Sequence, residues 1–236
     1  MDPLIISFII MLAAIAQSVT GFGFSLVAVA LLPSIIGIKL AVPLVAVVST
    51  ISNGVLWWHH RHHFDYKVVL QLSIASIVAM PVGIVALHYI PDQIALHSLG
   101  LLLISYVVYS YCNVPLPTLQ SPQWVYVFGG VSGLLTGAYN TGGPPAVIYG
   151  TCTRWTPEDF KGNLPCFFLV TSGAAIAGHA LQGNLTLAIW QFSAYSLPGF
   201  VVGLAIGTLI SKRLKPSAFK HAVLGLLLLM GMRLLV

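Results

Sequence analysis

"AYNTGGPPAVIYG" (residues 138–150) places two glycines and then two prolines inside an otherwise apolar stretch. An α-helix cannot run smoothly through T-G-G-P-P, because proline lacks the N–H and glycine carries the highest backbone entropy cost. The flanking pieces, about 122–138 and 143–152, fall at or below the roughly 17–25 residues a spanning helix needs. Near the start of the chain "SVTGFGFSLV" (18–27) does the same to residues 3–36, leaving about 3–18 and 22–36. Re-entrant helical hairpins meeting at membrane depth, or pairs of short crossing helices, both accommodate such breaks.

The surrounding composition makes the membrane setting firm. The chain is 58% hydrophobic and 6% charged, with a mean hydropathy of +0.95, where a soluble domain carries about 25% charged residues. So few charges cannot cover a water-facing surface. Long unbroken apolar runs, rather than alternating segments of about ten residues, select helices over a barrel. The opening "MDPLIISFII" has no basic region ahead of its apolar run and reads as the first membrane element. The net charge of +5 is spread over separate loops and gives no nucleic-acid signature. The three cysteines, Cys112, Cys152 and Cys166, have no CxxC spacing and read as small packing residues. The longest polar stretch is "CNVPLPTLQS" (112–121), a linker rather than a domain.

Stretches 39–60, 66–89, 93–111, 158–181, 186–211 and 217–235 are each long and apolar enough to span. An offset of 122 carries Lys39 onto Lys161, Pro43 onto Pro165, Ser49-Thr50 onto Thr171-Ser172, Gly21 onto Gly143 and Gly23 onto Pro145. This is an internal repeat of about 120 residues. Basic residues mark cytoplasmic loops. In the first half they sit in 59–67 (Arg61, Lys67) and not in 89–93; in the second they sit in 211–220 (Lys212, Arg213, Lys215, Lys220) and not in 181–186. The bias has changed loops, so the repeats are expected to be inverted, with both termini outside. The expected fold is all-α and polytopic: an N-terminal repeat (1–111), a linker (112–121) and a C-terminal repeat (122–236), each a broken helix or helical hairpin plus three transmembrane helices.

Matched discontinuous helices in inverted repeats are a transporter pattern, and the breaks point to the binding site. A helix that starts inside the membrane exposes unpaired N–H groups and the positive end of its dipole, which attract anions. Thr20 and Thr141 are the expected N-caps. Gly21, Gly23, Gly142 and Gly143 leave room for close approach to the backbone, with Phe22 beside them. Pro144 and Pro145 suit a first helical turn. Gln17 and Asn140, next to the breaks, are expected amide donors to substrate oxygens. The cradle is thus residues 17–25 and 140–146, two helix starts facing each other at the midplane.

Elsewhere, Asp2, Asp65, Asp92, Glu158 and Asp159 all sit at predicted membrane edges, which argues against a carboxylate proton relay. Lys39, Lys161 and Arg154 stand near the ends of spans; they read as headgroup or topology markers, or as a cationic gate for the anion. Asn53, Asn163, Ser49, Thr50, Thr171 and Ser172 need partners within the membrane, and interhelical hydrogen bonds supply them. "WWHHRHHFD" (57–65) puts His59, His60, His62 and His63 near Asp65, a metal-binding alternative using the His59–His63 cluster against a hydrated loop behind an interfacial Trp pair. No metal or other cofactor is expected. His179 and His88 lie in or at the edge of spans.

With its glycine-rich break opening each half, a proline-to-Ser/Thr stretch after each (43–50 and 165–172) and tandem helical halves, the chain resembles the TauE/SafE (TSUP) family of sulfite and organosulfonate exporters over about 3–235. Its first break, Gly21-Phe22-Gly23-Phe24, departs from the run of glycines usual in that family. The resemblance implies a secondary transporter of the inner (plasma) membrane. It would export a small anion, such as sulfite or an organosulfonate (sulfoacetate, for example), by alternating access and without an enzymatic step. No pair of acids lies at membrane depth and no HExxH or GxSxG motif occurs, so an intramembrane enzyme is not the reading. A membrane scaffold or assembly protein without transport is the remaining alternative. The expected partners are the small anionic substrate and the lipid bilayer, with a homodimer left open.

Overall fold

The computed structural model of the chain describes residues 3–61, 64–112, 116–119, 121–213 and 216–235, apart from the side chains of His60 and of residues 212–220. Asp2, the side chains of Lys212, Arg213, Lys215 and Lys220, and most of the His59–His63 cluster therefore lie outside the described residues.

Every described regular element is an α-helix. In order they are α1 (Pro3–Thr20), α2 (Phe24–Leu31), α3 (Pro33–Ile36), α4 (Ile38–His60), α5 (Tyr66–Tyr89) and α6 (Asp92–Cys112). Then follow α7 (Trp124–Tyr139), α8 (Gly143–Cys152), α9 (Pro157–Leu181), α10 (Leu187–Arg213) and α11 (Pro216–Arg233). Among the described residues six stretches are long and apolar enough to cross a bilayer: Pro3–Thr20, Ile38–His59, Tyr66–Tyr89, Asp92–Cys112, Pro157–Leu181 and Leu187–Ser211. Five match the expected spans. The sixth is α1, which continues to Thr20 and reaches spanning length, because the first residue that stops it is Gly21, at φ +80°; the expected span 217–235 corresponds to α11, of which the described stretch His221–Arg233 is a shorter apolar helix.

Both breaks exist: residues 21–23 separate α1 from α2, and 140–142 separate α7 from α8. The polarity of the molecule is that of a membrane protein. Large apolar side chains such as Leu4, Val78, Val82 and Leu181 are exposed, while Gln17, Ser49, Asn53, Asn163 and His179 are each at most 4% exposed. Polar groups inside and aliphatic groups outside invert the arrangement that water imposes.

Packing divides the chain into two compact units, Met1–Val45 with Ile90–Val114 and Leu185–Val236, and Ala46–Tyr89 with Pro115–Asn184. Each unit draws segments from both sequence halves, and α4 contributes its first part to one and its second part to the other.

In the first unit α1 packs along α10. Gly199, Gly203 and Gly207 on α10 lie against Ser7, Met11 and Ile15–Ser18 on α1, in ascending order on both helices, so the pair runs parallel. A Cβ at any of these glycines would collide with the facing helix; the Gly199 N–H donates to Ser7 Oγ at 3.2 Å. This is the small-xxx-small contact through which membrane helices approach without a hydrophobic driving force. In the same unit α6 meets α11. Gly100 lies against Gly231 and Tyr111 lies 5.6 Å from His221, so this pair runs antiparallel.

In the second unit α5 packs along α7 by the same device. Gly129, Gly133 and Gly137 on α7 lie against Leu72–Ala75, Ser76 and Met80–Ile84 on α5, again in parallel. The offset of 122 places α7 over α1 and α10 over α5, so the two glycine-lined pairs correspond, with the glycines on opposite partners. The second part of α4 and α9 run antiparallel: Ser49 meets Ser172, and Gly54 meets Leu169.

Candidate functional site

The first break is closed by backbone geometry rather than by a capping side chain. Gly21 at φ +80° donates its N–H to the Gln17 carbonyl at 2.8 Å, and Gly23 at φ +102° is the N-cap of α2 with no side-chain cap bond. Only glycine holds such angles without strain. The expected role of Thr20 as N-cap is thereby corrected. Thr20 is the last residue of α1, and its hydroxyl hydrogen-bonds the Ala16 carbonyl at 2.8 Å and the Phe22 carbonyl, while the Phe22 N–H reaches Thr20 Oγ1 at 3.4 Å. Threonine prefers this back-bonding to its own turn when the carbonyl is within reach. Nothing stands within 4 Å of where a Cβ on Gly21 would be, so the break opens on space. Phe22 stacks edge-on to Tyr106 at 6.4 Å and Phe24 to Phe200 at 6.5 Å, fixing α2 inside this unit. The Gln17 side chain is buried and engaged within the structure.

The second break is more polar. Asn140 adopts φ +53° as the C-cap of α7, and its N–H donates to the Thr136 carbonyl at 2.8 Å. Asparagine tolerates this left-handed cap better than any residue but glycine. Its Nδ2 donates to Ser49 Oγ at 3.0 Å, and Ser49 lies 3.3 Å from Ser172 Oγ, all three buried. One N–H of the Asn140 side-chain amide thus ties the break to α4, and through Ser49 to α9. Gly142, not Thr141, is the N-cap of α8, again without a side-chain cap bond. A Cβ on Gly142 would strike Thr136 Oγ1 and the Ser132 carbonyl, so the glycine lets the chain turn back against α7. Gly143 is freer: its Cβ would meet Phe168 Cζ at 3.6 Å, an ordinary contact. Pro144 and Pro145 occupy the first turn of α8 as expected. Since prolines have no N–H, the amides this helix start can offer are those of Gly142 and Gly143.

Thr141 is 1% exposed and its hydroxyl has no hydrogen-bond partner; the hydroxyls of Ser73, Ser76, Ser132 and Ser193 on other helices are in the same condition. Buried hydroxyls are rarely left this way.

The three cations differ. Lys39 pairs with Asp92 at 3.1 Å, both about half exposed (50% and 55%). Lys161 is exposed with no ion pair among the described residues. Arg154 is exposed, sits at φ +61° and donates from Nε and Nη2 to Thr118 Oγ1 at 3.3 Å, pinning the segment before α7. Asn163 is structural: its Oδ1 accepts the Asp65 N–H at 2.8 Å. The start of α9 carries a capping box, Thr156 with Asp159, which places that acid in a local role. Among the described residues no three His, Cys, Asp or Glu side chains form a metal-binding group.

Helices of spanning length and apolar exteriors define a polytopic α-helical membrane protein, interrupted at two repeat-related positions. Residues 6–234 match the family "Sulfite exporter TauE/SafE", and the chain belongs to it. It is a multi-pass membrane transporter and not an enzyme. Among curated relatives, it is 26% identical to the "Probable sulfite/organosulfonate exporter TauE" of Cupriavidus necator (strain H16), over 93% of this chain and 88% of that protein. No solved structure matches the chain.

Proposed function

We propose that this protein is a secondary transporter of the inner membrane that exports a small sulfur oxyanion, sulfite or an organosulfonate, by alternating access between two inverted repeats. The observation that carries the reading is the pair of helix starts at repeat-related breaks, α2 after Gly21–Gly23 and α8 after Asn140–Gly142, in a chain of the exporter family. The substrate contacts proposed are Gln17, Thr20, Gly21, Phe22 and Gly23 at the first break and Asn140, Thr141, Gly142, Gly143 and Pro144 at the second. Lys39, Lys161 and Arg154 are proposed to attract the anion to the mouths of the pathway. The inverted arrangement is supported by two repeat-equivalent helix pairs, α4 with α9 and α6 with α11, each running antiparallel. A parallel repeat would make them run alike.

Energetics favour the exporting direction. An inside-negative membrane drives a monoanion outward by about 2.3 kcal/mol per 100 mV, so no carboxylate relay is required. Counterflow of labelled sulfite and methanesulfonate in proteoliposomes tests the proposal. Saturable exchange above that of protein-free liposomes is expected; folded protein giving no exchange of either anion overturns it.

A further inference from the structure

We propose that the α8 start accepts an anionic group bearing a single charge, such as a sulfonate or hydrogen sulfite, and rejects groups that concentrate two charges, such as sulfate or fully deprotonated sulfite. The inference rests on the reading of this helix start as a substrate contact. Its independent support is Thr141, the residue directly ahead of the α8 N-cap, whose hydroxyl is buried and without a partner. Together with the amides of Gly142 and Gly143 it would make a donor set that is wholly neutral. Residues 132–153 contain no Lys, Arg or His, and the side chains shown against this break, Ser49, Ser172, Thr136 and Phe168, are uncharged as well.

Charge selection follows from how two terms scale. The attraction of an anion to a helix dipole and to neutral hydrogen-bond donors grows in proportion to its charge. The cost of taking it out of water grows as the square of that charge, because solvent polarisation is itself induced by the ion. Doubling the charge on one group doubles the gain and quadruples the penalty. A cationic side chain or a bound metal would reverse this balance, and this break shows neither kind of ligand. The two prolines sharpen the effect by removing amides that a more highly charged group would need.

The test is uptake into proteoliposomes of labelled methanesulfonate and labelled sulfite, each corrected for protein-free liposomes, across the pH range in which hydrogen sulfite loses its proton. Methanesulfonate keeps one charge throughout and reports any effect of pH on the protein itself. Sulfite flux is expected to fall about tenfold per pH unit above that transition while methanesulfonate flux stays level, and excess sulfate is expected not to inhibit either. Thr141→Val should raise KM for methanesulfonate at least about tenfold, while Thr141→Ser, which keeps the hydroxyl, should restore it. Sulfate inhibiting as well as unlabelled methanesulfonate, sulfite flux level with pH, or Thr141→Val with an unchanged KM overturns the inference. Failure of the wider transport reading looks different: folded protein with no flux of either labelled anion at any pH.

Discussion

One methyl group added at each of two adjacent glycines should have opposite consequences. At Gly143 a Cβ would stand 3.6 Å from Phe168 Cζ, in ordinary contact, and the backbone there is not in the left-handed region. Gly143→Ala should therefore fold normally and gain about 0.4–1 kcal/mol from restricting the unfolded chain. At Gly142 the Cβ would stand 2.6 Å from the Ser132 carbonyl carried by α7, which cannot rotate aside, and it would also strike Thr136 Oγ1. Gly142→Ala should lose about 1–3 kcal/mol by overpacking. Transport should follow the other order. A methyl on Gly143 holds a solute away from the amide at the α8 start. Losing one charge-assisted hydrogen bond costs about 1.5–3 kcal/mol, or about tenfold to a hundredfold in affinity. Thermal unfolding in detergent paired with counterflow KM separates the two effects. Gly143→Ala should unfold at or above the wild-type temperature with KM raised at least about tenfold, and Gly142→Ala should unfold below it. An unchanged KM in Gly143→Ala, or wild-type stability in Gly142→Ala, refutes the reasoning.

Other changes have equally definite outcomes. Gly23→Ala, at φ +102°, should cost about 1–2 kcal/mol of left-handed strain, read as a lower unfolding temperature. Ser49→Ala removes the acceptor of the Asn140 amide and should cost about 1–3 kcal/mol by stranding a buried donor, measurable in the same assay. Gly133→Leu drives a side chain into the Ser76 backbone and should separate α7 from α5, read as loss of folded protein on size-exclusion chromatography. Lys161→Gln should raise the KM for the anion by a few-fold, less at high salt, as an exposed charge screened over a Debye length of about 8–10 Å requires.

Much of this architecture was legible because glycine and proline act through the backbone alone. Gly21, Gly23 and the Gly142–Pro145 run dictate where helices stop whatever surrounds them, and the breaks fall where the sequence placed them. Span lengths follow from bilayer thickness for the same reason. What the breaks do with their side chains was less legible. Thr20 and Thr141 read as N-caps by the habits of helices in water, yet Gly23 and Gly142 hold those positions and the Thr20 hydroxyl turns back to Ala16. Asn140 also meets Ser49 from a distant helix through its side-chain amide, a partner that local sequence could not name. The pairing of α1 with α10 and of α5 with α7 had no amphipathic signal to announce it, since both faces of a membrane helix are apolar. The glycines at 129, 133 and 137 and at 199, 203 and 207 mark those contacts, but spacing alone does not name the partner helix.

The central claim is that an oxyanion rests against the start of α8. The most direct measurement is an experimental structure with 2-bromoethanesulfonate bound, locating the bromine by its anomalous signal and the sulfonate by its density. The account predicts the sulfonate oxygens within hydrogen-bond distance of the Gly143 amide and the Thr141 hydroxyl. A well-occupied sulfonate elsewhere in the protein, with Thr141–Gly143 touching none of it, would contradict it.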